Sequence, residues 1–119
     1  MEKHSIKKFI TKSFNEPDEK TGLPGAILES VQLGELTIHR MTFEPGWRWT
    51  ASLPEILGTE TCEFEHPAWI LLSGRFVVKM NDGRTQEYGP GDLGMIPPGH
   101  DAWVKGDAPV VALDIQINR

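Results

Sequence analysis

Short runs of alternating hydrophobic and polar residues, each ended by glycine or proline, fill most of this chain. In the clearest run, residues 35–43, Leu36, Ile38 and Arg40 alternate with Thr37, His39, Met41 and Phe43. Successive side chains of a strand point to opposite faces, so a period of two predicts a strand with one packed face. A strand over 26–32 precedes it, and Gly34 between the two predicts a hairpin. Further strands are predicted over 59–63, 67–73, 75–80, 84–88, 93–96, 101–105 and 109–117, with a short first strand over 5–11. Asn81-Asp82-Gly83 is a strong hairpin signal, because these residues tolerate the positive φ that tight turns demand. The polar stretch NEPDEKTGLPG (15–25) predicts no regular structure. The segment EPGWRWTASLPEILGT (44–59) lacks the period of two but holds two tryptophans, which disfavour disorder; it predicts a long ordered loop with one helical turn. About ten short strands in a small chain predict an all-β sandwich or barrel.

Composition narrows the function classes. The 119 residues, 39% hydrophobic and 24% charged, suit one globular domain over 1–119 with a modest core. A net charge of -5 argues against nucleic-acid binding, since phosphate contacts need surplus Lys and Arg. No run approaches the roughly 20 apolar residues of a membrane span, and the opening MEKHSIKKFITKSF lacks the apolar stretch of a signal peptide. Cys62 is the only cysteine, so no intrachain disulfide forms and secretion gains no support. The expectation is a soluble cytoplasmic protein that binds neither nucleic acid nor membrane. Its charge is uneven: Lys3, Lys7, Lys8 and Lys12 against Glu2 give residues 1–12 a net +3, leaving -8 on the remainder. Such a basic arm is either a solvated strand or a contact for a neighbouring subunit.

Three segments together, PAWILLSGR (67–75), the Asn81-Asp82-Gly83 hairpin and GPGDLGMIPPGHDAW (89–103), resemble the cupin family of small β-barrels. Gly91 followed by Pro97-Pro98-Gly99 matches the second motif of that family, and Gly74 fits the glycine that closes the first. The resemblance covers about residues 34–117, with 1–25 left as arm and loop, and implies a single jelly-roll barrel with a long loop ahead of the first motif. It also implies a metal in the cavity, a small-molecule ligand and a homodimer made through barrel faces and exchanged terminal strands. The usual ligand set of three His and one Glu is absent. Pro67 stands at the Glu position, Cys62 or Glu63 near that of the second His, and Ala102 at that of the last His.

Any metal site must therefore come from this chain's own donors, and Cys62, His66 and His100, with Glu60, are the candidates. On one straight strand Cys62 and His66 would stand roughly 13 Å apart, so they must flank a turn, for which Glu63-Phe64-Glu65 offers a three-residue hairpin. His100 lies two residues before Ala102, on the same strand face. One Cys and two His suit tetrahedral zinc first, with iron, nickel or copper as further choices. Glu60, Glu63 and Glu65 around Cys62 disfavour a free thiolate. The competing view makes Cys62 a small buried residue and both histidines hydrogen-bonded turn residues. Trp47-Arg48-Trp49 offers a guanidinium between aromatic walls for a small anion, or else caps the barrel mouth. His39, on the face of Met41 and Phe43, is a core histidine or a cavity residue. Asp101 neighbours His100, but adjacent strand residues face opposite sides.

Three functions stay open at this level. The first is a cupin with a divalent metal and a small, anionic molecule in its cavity, with or without catalysis; Glu60 and His39 are then the only evident bases. The second is a metal-free ligand-binding or sensor domain, and the third a structural dimer with a vestigial cavity.

Overall fold

The period-two segments become strands in the computed structural model, which describes residues 6–52 and 61–118. In chain order these are β1 (Glu19–Leu23), β2 (Ala26–Leu33), β3 (Leu36–Phe43), the one-turn helix α1 (Trp49–Ser52), β4 (His66–Ser73), β5 (Phe76–Met80), β6 (Thr85–Tyr88), β7 (Leu93–Ile96), β8 (His100–Val104) and β9 (Val110–Ile117). They build two antiparallel sheets, one ordered β1-β2-β3-β9-β4-β7 and the other β6-β5-β8, packed as a jelly-roll sandwich. The hairpins at Gly34 and Asn81-Asp82-Gly83 form as the turn residues predict, with Gly34 and Gly83 at φ of 61° and 96°. Among the described residues no helix is long and apolar enough to cross a membrane.

Three local expectations change. Residues 15–25 hold β1, which pairs with β2 from Glu19 opposite Ser30 to Leu23 opposite Ala26. This edge strand buries almost no face, so its order comes from the backbone ladder and leaves no alternation in the sequence. The strand expected over 5–11 is absent from its described part: residues 6–12 carry no regular structure and are exposed. Of the strand expected over 59–63, Thr59 and Glu60 lie outside the described residues, and Cys62 makes a single bridge to His100.

Aromatic rings pack between the sheets and leave a cavity beside them. Phe43 packs 4.4 Å from Trp47 and 5.1 Å from Phe76, and Phe76 lies 5.4 Å from Trp69, all between ring centroids. Leu71 of β4 and Val110 and Ala112 of β9 are wholly buried beside them. Gly74, at φ 83°, turns the chain from β4 into β5 so tightly that a Cβ there would collide with the Pro109 carbonyl.

Candidate metal centre

Two lone bridges on the free edge of β8 shape one end of the sandwich. Cys62 pairs with His100, its N–H donating to the His100 carbonyl at 2.7 Å, and Arg48 pairs with Trp103. Cys62 is thus bridged to the edge of the small sheet, whereas His66 opens β4 in the large one. Residues 63–65 cross between the sheets and do not close a hairpin, because the partner of Cys62 is β8 and not β4. Along β4 the register shifts between His66 and Trp69. Residues three apart on a regular strand face opposite sides; this irregularity lets both rings reach the same cavity.

These placements bring Cys62, His66 and His100 together, with one donor atom of each within 4.8 Å of the others. The His66 and His100 ring centroids are 5.4 Å apart. Each ring has one nitrogen already committed. His66 Nδ1–H donates to Asp114 Oδ2 at 2.9 Å, and His100 Nδ1–H donates to the Pro97 carbonyl at 2.9 Å. A carbonyl or carboxylate oxygen fixes the proton on Nδ1, which leaves Nε2 as the nitrogen that could coordinate an ion. A thiol and two such imidazoles are donors of the kind zinc takes, and three protein donors leave a tetrahedral ion one open position. The residues present therefore fit a divalent transition ion.

Electrostatics support the cluster as a unit. Burial pushes the Cys62 thiol up, yet hydrogen bonding to His100 and His66 outweighs it and brings the group from 9.0 to about 7. Glu63 and Glu65, expected to disfavour the thiolate, are exposed to water, so the two imidazoles dominate instead. Burial pulls His66 down, but the Asp114 carboxylate and Cys62 overcome it and raise that ring from 6.5 to about 9.

The other candidates scatter. Trp47 and Trp49 line the cavity beside the cluster. Arg48 between them faces the opposite way, as alternation on a strand-like segment requires. Its guanidinium meets Asp101 Oδ2 at 2.8 Å and covers the Trp103 ring at 4.6 Å, so the anion clamp with aromatic walls does not form. His39 bonds Ser30 Oγ through Nδ1 at 2.8 Å and does not line the cavity. Asp101 is turned to Arg48 and Thr50, and Glu60 lies outside the described residues. The partner of His66, Asp114, escaped the sequence reading although a signal exists: Val110, Ala112 and Asp114 share one face of β9, a carboxylate in a row of buried apolar positions.

No known family profile matches the chain, and no curated protein matches it. Solved structures do. A protein of unknown function from Rhizobium leguminosarum aligns over 95% of this chain and 100% of its own, at 22% identity and a TM-score of 0.66. A sugar phosphate isomerase from a cupin superfamily, from Silicibacter pomeroyi, aligns over 81% of this chain and 61% of its own, at 17% identity and TM-score 0.58. The oxalate decarboxylase of Lactobacillus farciminis, solved as a formate complex, aligns over 84% of this chain and 31% of its own, at 18% identity and TM-score 0.62. This chain thus spans less than two thirds of the length of the latter two. Together with the two-sheet topology, the likeness shows that this chain has the cupin fold.

Proposed function

We propose that Cys62, His66 and His100 hold one divalent transition ion, zinc before iron, nickel or copper, and that the adjoining cavity brings a small organic molecule to it. One observation carries this reading: three buried or half-buried donors from both sheets converge within 4.8 Å, each histidine with Nδ1 already occupied. Bound there, the ion would supply Lewis acidity to a ligand oxygen. The protein's part is to fix the rings through Asp114 and Pro97 and to keep water away with Trp47, Trp49 and Trp69. The reading suits a reducing compartment such as the cytoplasm, where a lone thiol stays free for coordination.

Metal analysis of protein purified without an affinity tag tests the proposal. Stoichiometric metal is expected in the wild type and its loss in both Cys62→Ser and His66→Ala. A wild type free of metal sinks the reading, and a cavity occupied without metal would favour a metal-free binding domain.

We propose further that the chain forms a homodimer through its N-terminal arm. The supporting observation is that Ile6 and Phe9 stand almost wholly exposed on a segment without strand partners.

A further inference from the structure

The cavity that opens onto the three donors has a lining of one chemical kind. Its volume is about 310 Å³, enough for a small organic molecule. Among its lining residues only Thr21, Trp47, Trp49, Trp69 and the donor cluster itself carry polar side-chain atoms. The indole N–H groups of Trp47 and Trp69 are buried away from solvent and from any partner. Among the described residues no Lys, Arg, Asp or Glu lines it. Arg48, the cation nearest the tryptophans in sequence, is held outside by Asp101. Asp114 spends its one hydrogen-bonded oxygen on His66 and Gln116.

A phosphate or a second carboxylate in this space would lose its water and find no charged partner, and a row of hydroxyls would find little more than the two unpartnered indole N–H groups of Trp47 and Trp69 beyond the donor cluster. Apolar surface gains from the same transfer. We infer that the cavity takes a molecule with a hydrocarbon or aromatic body and a single coordinating head group such as a carboxylate. The head lies at Cys62, His66 and His100, and the body lies between the sheets against Leu28, Met41, Phe43 and Phe76. The head's placement rests on the metal reading above, whereas the body's class rests on the lining alone. The small anionic ligand expected from the sequence thus becomes an amphiphile.

Calorimetric titration of the zinc-loaded full chain with butyrate, hexanoate and octanoate, beside oxalate and glucose 6-phosphate, tests this. Affinity should rise roughly fourfold for each added methylene, and octanoate should exceed both polar probes by about tenfold or more. A flat chain-length series, or either polar probe binding as tightly as octanoate, overturns the inference. Leu28→Trp fills the cavity from β2, three strands from β4 in the large sheet. It should abolish the chain-length dependence while zinc content and cooperative unfolding are kept. A slope that survives in zinc-loaded Leu28→Trp puts the chains elsewhere and also overturns it. The same series on zinc-free protein separates the two claims. Unchanged affinities with the slope intact would defeat the metal reading and uphold the apolar class; zinc bound in the wild type with a flat slope does the reverse.

Discussion

Asp114 sets the orientation and the basicity of His66. Its Oδ2 takes the Nδ1–H of His66 at 2.9 Å and an Nε2–H of Gln116 at 3.0 Å. The carboxylate steers Nε2 toward Cys62 and makes the ring a better proton acceptor, and it would likewise strengthen the ring as a ligand of the proposed ion. In the metal-free chain His66 keeps its second proton up to about pH 9 and Cys62 keeps its own up to about pH 7. An entering ion displaces both, so zinc affinity should climb with pH until about 9 and fall as pH drops. Asp114→Asn removes the charge that raises His66. Its zinc affinity should fall by about 10-fold to 100-fold at high pH, and by less near neutrality, where the proton now competes less. Competition against a chromophoric chelator across this pH range measures it; an equal loss at every pH, or none, contradicts the assignment. Cys62, His66 and His100, which the fold brings together, were legible in the sequence as residue types. The carboxylate behind them showed only as a polar residue in an apolar row of β9, and its role depends on β9 lying beside β4 in the sheet.

At the scale of elements, the segment from Trp47 to α1 is held on the edge of β8 by one buried carboxylate. Asp101 accepts from Arg48 Nε at 2.9 Å, from Thr50 N–H at 3.2 Å and from Thr50 Oγ1 at 3.0 Å, while the Val104 N–H donates to the Trp47 carbonyl at 3.0 Å. This latch presents Trp47 and Trp49 to the cavity. Asp101→Ala should lower unfolding free energy by about 2 kcal/mol, because it leaves the Thr50 N–H without a partner and strips a charge-assisted bond. Urea denaturation reads that loss. Titration with octanoate should show weaker binding with zinc content retained, and an unchanged octanoate affinity would sever the latch from the cavity. The lapse of alternation announced a loop with one helical turn over 44–59, and its described part, 44–52, holds that turn as α1; residues 53–59 lie outside the described residues. It misplaced Arg48, because flanking tryptophans suggest a clamp while the true partner lies 53 residues onward. β2 to β9 were readable where a period of two met Gly-rich turns. β1 was hidden, since an exposed edge strand orders itself through a neighbour and not through a packed face.

At the scale of the molecule, the unfinished feature is the arm. Lys12 Nζ reaches Asp18 Oδ2 at 3.0 Å, and Arg40 lies over the Phe14 ring at 4.9 Å, so the arm is tethered from residue 12 onward. Ahead of that tether Ile6 and Phe9 project into water. The exposed ion pair contributes little by itself. Apolar residues held so far from any core gain by covering a second surface, and this chain offers one: β7, an edge of the large sheet, exposes Leu93 and Met95. The +3 charge of residues 1–12 against -8 elsewhere favours a contact between the arm of one copy and the body of another. Deleting residues 1–12 should therefore convert a dimer to a monomer in sedimentation velocity runs, with zinc content unchanged because the donor cluster is far along the chain. Raising salt should loosen the full-length dimer through screening of the same attraction. If the shortened chain sediments as the same dimer, the arm is only a solvated tail and the pairing surface lies on the barrel itself.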